Sequence, residues 1–384
     1  SKECCEEPTI KVWGHNRIRL HLADMSFAVD ADAIWSTHAR TRVGIAGYKH
    51  ENPGVPLELQ HSRPLGPHPG TLAFHHGTAN HEFGVHQAYF WYAPCEKGWL
   101  KGGRFAAGLH NERLIGKVDW NNTGRTFEGF MFGRKLNDNI GLTGMAVQAA
   151  ETFTTGDNAG DPMVYGLNVN FAEQGVELFF IQVKDNGGMT FGSSTNFALN
   201  TFGAYSARHF GSNMFYNAMF AMQSGSDDAV DYSGMMVNGK VGMKLESGLK
   251  FGLLVDYTTG DDASTAGEVE TFNNLFYTGH KFRGAMDFFV AQPMGGLMDL
   301  GLFAGYPIND SWSAGGAFHQ FTSVEDLNAA GNNTYGTEID LYAKYRDGTF
   351  AWQTGFSMFS ADTDSGFGSD EGASWIYSMT TVDF

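Results

Sequence analysis

The residues of this chain with the most chemical reach are cations and carboxylates set at every second position of short alternating runs. Arg17 and Arg19 alternate with Ile18 and Leu20 in RIRLHL, and His38, Arg40 and Arg42 alternate with Ala39, Thr41 and Val43 in AIWSTHARTRVGIAGY. A spacing of two puts the cations on one face of a strand and the other residues on the opposite face. Arg104, Arg113 and Arg125 follow in GRFAAGLHNERLIGKVDWNNTGRTFEG, Lys281 and Arg283 lie in HKFRG, and Asp256, Glu338 and Asp340 stand on later runs. Guanidinium groups grip carboxylates bidentately, whereas ammonium groups act as point charges. Buried in a dry sandwich, a row of arginines carries a large desolvation cost; around a water-filled lumen it carries little. Cations on early strands facing acids on later strands and loops set a transverse field, which orients anionic solutes and gives a mild preference for anions. In the blander reading the same cations are hydrated and paired with Glu128, Asp256, Glu338 and Asp340, and select nothing.

Catalysis finds less support. His209, His280 and His319 have no nucleophile motif beside them, so no enzyme is expected. The histidines of the first long loop region, His61, His68, His75, His76, His81 and His86, are irregularly spaced and suit a solvated loop better than a metal site. Most of the net charge of -17 sits in TGDNAGD from Thr155, SGSDDAVD from Ser224, TGDDAST from Thr259 and DTDSGFGSDEG from Asp362. None is an EF-hand; they read as surface loops offering oxygen ligands to Ca²⁺ or to divalent ions shared with lipopolysaccharide, and no cofactor is required. An acidic chain without a basic cluster argues against nucleic acid. Cys4, Cys5 and Cys95 lack zinc spacing; a bridge from the first pair to Cys95 and free thiols stay equally open.

The elements that must carry these charges are strands. The chain has 384 residues with 50 Gly, 32 Phe and only 17% charged residues, and no run nears the roughly 18 apolar residues of a membrane helix. A barrel strand needs only about 9 to 11 residues, every second one apolar. From Glu82 to Tyr92 the aromatic end of EFGVHQAYFWY suits an interfacial girdle. The next strand, from Lys101, is expected to carry Phe105, Ala107 and Leu109 outward and Arg104, Ala106, Gly108 and His110 inward. Beyond Phe127 strands come in pairs, such as FEGFMFGRKL with NIGLTGMAVQAA and YSGMMVNGKVGMKL with LKFGLLVDYT, joined by short turns alternating with long loops. Residues 1–16 read as a periplasmic lead-in, preceded in the exported precursor by a signal peptide, and residues 17–384 as the barrel. Between Thr259 and Gly296 an even number of strands must lie, giving 18 in all or 20. Phe282, Met286 and Phe289 suit a short helix there, so 259–296 reads as one long loop folded into the lumen and 18 strands are preferred.

Four stretches carry a family resemblance: FAVDADAIWSTHARTRVG, HQAYFWY, GRFAAGLHNERLIGKVDWNNTGRTFEG and NNLFYTGHKFRGAMDFF. In these, over most of its length, the chain resembles the alginate-export family of outer-membrane porins. The resemblance implies an 18-stranded barrel whose loops enter the pore and, in the best-known members, passage of an anionic polysaccharide past arginines. Arg40, Arg42, Arg104, Arg113 and Arg125 fall inside the matching motifs. The C-terminal Phe384 on an alternating strand is similar to the closing signal of such barrels. The best-known relatives act as single barrels and many general porins as trimers, so monomer and homotrimer both stay open.

The reading is therefore all-β: a single transmembrane antiparallel β-barrel of about 18 strands in the bacterial outer membrane, contacting lipid and lipopolysaccharide. Its expected function is passive diffusion of small hydrophilic, mainly anionic solutes such as sugar acids or oligosaccharides, through a lumen narrowed by loops 111–125 and 259–296. The alternative is a structural or adhesive surface barrel with a closed pore and acidic loops that bind an ion or partner.

Overall fold

The computed structural model describes residues 9–24, 33–48, 54–65, 82–95, 97–149, 162–185, 196–367 and 372–384. Its strands are β1 (Thr9–Asp24), β2 (Ile34–Tyr48), β3 (Gly54–Pro64), β4 (Glu82–Cys95), β5 (Gly98–Phe105), β6 (Phe127–Lys135), β7 (Ile140–Ala149), β8 (Met163–Phe171), β9 (Val176–Asp185) and β10 (Phe197–Phe210), then β11 (Met214–Ser226), β12 (Asp231–Lys244), β13 (Lys250–Thr258), β14 (Glu268–Val269), β15 (Leu297–Pro307), β16 (Trp312–Thr322), β17 (Thr334–Asp347), β18 (Phe350–Ala361) and β19 (Gly372–Asp383). Every wall strand is antiparallel to its neighbours, β13 pairs directly with β15, and β19 pairs with β1, which closes the sheet. The two-residue β14 lies beside β12 in parallel and is no part of this wall, which leaves 18 strands in the barrel. No described helix is long and apolar enough to cross a membrane; the crossing is made by strands.

Period-two sequence becomes a two-faced wall. In β15, Leu300 and Leu302 are about half exposed, at 51% and 54%, while Leu297, Asp299 and Gly301 of the opposite parity are buried. β1 repeats the scheme with Ile18 and Leu20 outward and Arg17, Arg19 and His21 buried, and β17 with Ile339 and Leu341 outward and Glu338 and Asp340 buried. An outward apolar band of this extent is untenable in water and is what the hydrocarbon of a bilayer covers. Short turns are closed by local hydrogen bonds. Asn137 Oδ1 accepts the N–H groups of Asn139 and Ile140 at 2.9 and 2.7 Å, and Asn309 Oδ1 those of Ser311 and Trp312, both at 2.9 Å.

Three expectations are corrected. β1 begins at Thr9, so Thr9–Asn16 is strand and not lead-in. β5 ends at Phe105, whose fully buried ring packs inward near Phe127, while Arg104 pairs with Glu128 at 2.7 Å on the opposite face, the parity of the exposed Phe130. The chain then leaves the sheet, and Ala107 is buried rather than outward. Across β5 and β6 the facing Gly103 and Gly129 have φ of +125° and +145°; a Cβ at either would lie 2.4 or 2.3 Å from a neighbouring carbonyl oxygen, which only glycine avoids. Finally, Phe282, Met286 and Phe289 do not form a helix. Positive φ at Arg283 (61°), Gly284 (82°) and Asp287 (62°) breaks any helical turn, and only a single 3₁₀ turn, Gly279–Lys281, precedes them.

Leu302→Arg, at the middle of an outward face, is expected to lower stability by about 2–4 kcal/mol, the cost of a cation at the bilayer midplane. Urea unfolding in lipid vesicles measures it, and arginine at the inward Asn217 serves as the comparison with a far smaller loss.

Candidate functional site

Two long segments, 106–126 and 259–296, meet on the inward face of the wall. The first is held by strands β1–β3 through its main chain. Arg17 donates to the carbonyls of Asp119 (3.0 Å) and Asn121 (2.9 Å), Arg19 to that of Trp120 (2.7 Å), and Arg40 to those of Asp119 (2.8 Å) and Asn121 (3.0 Å). Arg42 reaches the Asp119 carboxylate at 2.7 Å, and Ser62 donates to the Asn122 carbonyl at 2.7 Å. Arg17 and Arg40 stand directly opposite each other in the β1–β2 register, a like-charge pairing that needs compensation. The row of loop carbonyls and Asp119 supply it. Burial alone raises the Asp119 carboxyl, but Arg40 and Arg42 outweigh that and hold it below the ordinary carboxylate range. Arg19 also lies 4.2 Å over the Trp120 ring, and His280 of the second segment stacks on that ring at 3.9 Å.

On the far side the two segments converge on one acid. Asp256 of β13 is buried, and its Oδ2 accepts from Arg113 Nε at 2.6 Å and from Asn238 at 2.8 Å, while Oδ1 accepts from Arg113 Nη2 at 2.9 Å and Arg283 Nε at 2.8 Å. Arg283 extends to Gln292 (3.0 Å) and Thr258 (3.1 Å). The segments are also stitched to each other. Gly116 N–H donates to Phe276 O (2.8 Å), Phe276 N–H to Leu114 O (2.9 Å), and Thr278 Oγ1 to Glu112 (2.6 Å). Arg125 donates to the Tyr277 carbonyl at 3.1 Å; burial lowers its pKa to about 10, which leaves it protonated at neutral pH.

Two acids of β17 bind the second segment by its N–H groups. Glu338 accepts from Met286 N–H at 2.9 Å and Asp340 from Ala285 N–H at 3.3 Å; Asp340 also accepts from Ser357 at 2.5 Å. Of the charges singled out in the sequence, Arg17, Arg19, Arg40 and Arg42 are brought together, as are Arg113, Arg283 and Asp256. His38 is buried with its ring 6.0 Å from that of His21, and Lys281 is half exposed, 3.9 Å from Glu112. Arg104 does not join the inward set. The arginines are also not wet: Arg17, Arg19, Arg40, Arg113 and Arg283 are buried and bonded to loop atoms or Asp256, which corrects the expectation of hydrated lumenal guanidiniums.

Among the described residues, Asp261, Asp262 and Glu270 are the acidic-loop ligands that approach one another, within 4.8 Å. His68, His75, His76 and His81 and the side chains of Cys4, Cys5 and Cys95 lie outside the described residues. His86 is buried beside Glu58 at 3.8 Å.

The sequence model of the alginate export family matches residues 38–351. The chain belongs to the alginate export family. No curated protein matches it in sequence. Its fold is similar to the crystal structures of a BenF-like porin of Pseudomonas fluorescens Pf-5 (TM-score 0.70, 12% identity, 98% of each chain), of OccAB4 of Acinetobacter baumannii (0.67, 13%, 99% of each chain) and of OccK5 (OpdH) of Pseudomonas aeruginosa (0.66, 14%, 98% of each chain). These relatives are outer-membrane porins and not enzymes, and this alginate-export barrel shares their architecture.

Sequence reading missed Lys240, Lys250 and Lys344 of this family member. With Lys281 they line a cavity of about 700 Å³. The signal was present: Lys240 lies two residues beyond the inward Asn238 and Lys344 four beyond the inward Asp340, so continuing the alternation finds both.

Asp256→Asn leaves two buried guanidiniums around a neutral amide and is expected to cost about 3–5 kcal/mol, as breaking a buried ion pair does. Urea unfolding measures the loss, and trypsin should then cut in 106–126 and 259–296 while the wall stays intact.

Proposed function

We propose that this barrel is a passive outer-membrane channel for small hydrophilic, mainly anionic solutes, sugar acids and oligosaccharides among them, with segments 106–126 and 259–296 folded into the pore as its constriction. The observation that carries the reading is their attachment to opposite stretches of the inward wall, by Arg17, Arg19 and Arg40 on β1–β2 and by Asp256, Glu338 and Asp340 on β13 and β17. A structure spanning from one stretch to the other reduces the open cross-section of a barrel whose bare lumen admits far larger molecules. The family and the porin fold support passage through the wall; the choice of solute rests on the charges. Most wall guanidiniums are occupied by the loops, so the anion preference falls to lysines, point charges without a fixed partner.

The second reading, a closed structural barrel, is favoured by one feature. Phe276 packs with Phe105, Phe127 and Leu114, and Met286 and Phe289 with Phe321, Phe359 and Trp375, so that both segments are seated in apolar clusters. Conductance separates the two. The ends of the second segment lie together, with Asp261 N–H bonded to Met294 O at 2.8 Å, so residues 262–293 can be replaced by a short Gly-Ser turn. In planar bilayers the native barrel is expected to conduct with a reversal potential displaced toward chloride in a KCl gradient, and the shortened barrel to conduct more. Silence from both, or clear cation selectivity, overturns the proposal.

A further inference from the structure

The second segment is gripped where its backbone is least at ease. Arg283 and Gly284 have φ of 61° and 82° and Asp287 of 62°. Between these left-handed positions lie Ala285 and Met286, whose N–H groups donate to Asp340 (3.3 Å) and Glu338 (2.9 Å) of β17. The two acids differ in their access to water. Glu338 is fully buried beneath Gly284, where a Cβ would lie 2.5 Å from its Oε2, and among the described residues no donor reaches that oxygen. Asp340 lines the cavity of about 700 Å³ and accepts from the Ser357 hydroxyl of β18 at 2.5 Å. The two carboxyl groups stand on one face of the strand, within hydrogen-bonding reach of each other. Among the described residues the one ion-pair partner of either is His319 of β16, whose Nε2 lies 3.6 Å from Asp340 and whose Nδ1 lies 2.9 Å from Asp299 of β15. The other charged and titratable groups around them are Tyr342 and Lys344 further along β17, Tyr377 of β19, and three of the segment itself: Arg283, held by Asp256, and Asp287, held by His280.

We propose that Glu338 and Asp340 share one proton and form a latch that lets go of the second segment as the pH rises. The inference rests on the reading of segment 259–296 as part of the constriction and adds a control to it. Two carboxylates in contact and out of water cannot both be ionised. With one proton between them, Glu338 Oε2 donates to Asp340, and Oε1 remains to accept from Met286 N–H. When that proton leaves to water in the cavity, by way of Asp340, two like charges are left side by side. Glu338 is then an ionised group without solvent, and its cover is the second segment at Gly284. Lifting residues 284–287 from β17 hydrates it, while Arg283 stays on Asp256. The closed form thus holds one proton more than the open form, so each rise in pH favours the open one. His319 acts in the same sense. Once it loses its second proton, a ring lone pair faces Asp340 where an N–H stood.

The test uses the whole barrel and two readouts, KCl conductance in planar bilayers and the mobility of a nitroxide on Ala285→Cys, with Cys4, Cys5 and Cys95 changed to Ser. Ala285 lines the cavity, and its N–H is untouched by the change. Between about pH 5 and about pH 9 the label is expected to pass from immobile to mobile, and the conductance to rise about twofold. Glu338→Gln supplies an amide N–H in place of the shared proton, so it is expected to hold the label immobile and the conductance low at every pH. Glu338→Ala removes the acceptor of Met286 N–H and is expected to be open throughout. His319→Gln is expected to keep the alkaline rise. A label whose mobility ignores pH, a Glu338→Gln barrel that follows the native one, or a response lost in His319→Gln and kept in Glu338→Gln overturns the latch. The two readings fail separately. A label freed at alkaline pH in a barrel that never conducts sinks the channel and keeps the latch, whereas a conducting barrel with a static label keeps the channel and sinks the latch. Electrophoretic heat-modifiability identifies any variant that has not folded.

Discussion

A carboxylate removed from water has to be met by donors on every side, and in this barrel Asp256 is the group that imposes the condition. Its two oxygens take bonds from Arg113, Arg283 and Asn238, which come from two different loops and a neighbouring strand. Attraction between opposite charges at under 3 Å in a poorly hydrated interior is strong, but so is the desolvation of each ion, and the arrangement holds only when all partners are present. The consequence is that neither loop is docked independently. Moving segment 106–126 withdraws Arg113 from Asp256, which leaves Arg283 of the other segment with an incompletely matched acid.

The rest of the wall follows the same rule through the peptide group. Strands β1 and β2 present guanidiniums and grip carbonyl oxygens of one segment; strand β17 presents carboxylates and grips N–H groups of the other. Each side of the wall thus meets the end of the peptide dipole that complements its charge. The charges on both sides are engaged in holding protein. Backbone groups are well suited to this, since a buried peptide must be hydrogen-bonded somewhere and irregular segments cannot satisfy it internally.

How much of this was legible depended on range. Period-two alternation told which residues of β1, β2, β13 and β17 share the inner face, because pleating leaves no other choice, and the alternation of short and long connections required an even number of strands, which left 18 and 20 both open. Alternation fails where a strand ends: Phe105 and Arg104 were assigned to the wrong faces because the run was continued through Ala106–His110, where the chain has already left the sheet. The helix expected around Phe282 fails because left-handed residues at Arg283, Gly284 and Asp287 break it, so that Met286 and Phe289 reach one apolar cluster while Phe282 lines the cavity. Contacts such as Arg113 with Asp256, 143 residues apart, leave no periodic trace at all.

The division between arginine and lysine then becomes a division of work. A guanidinium offers a rigid fork that can satisfy two carbonyls or a carboxylate at once, so it is the group that can be buried against a loop without leaving donors idle. An ammonium on a flexible stem is a point charge that holds no fixed fork of partners. Exchanging the two kinds of side chain between the β1–β2 face and the β12–β17 face would keep the formal charge and still undo the arrangement, because the loops would lack their forked donors. Charge count alone therefore does not describe the inner wall; what each cation already holds does.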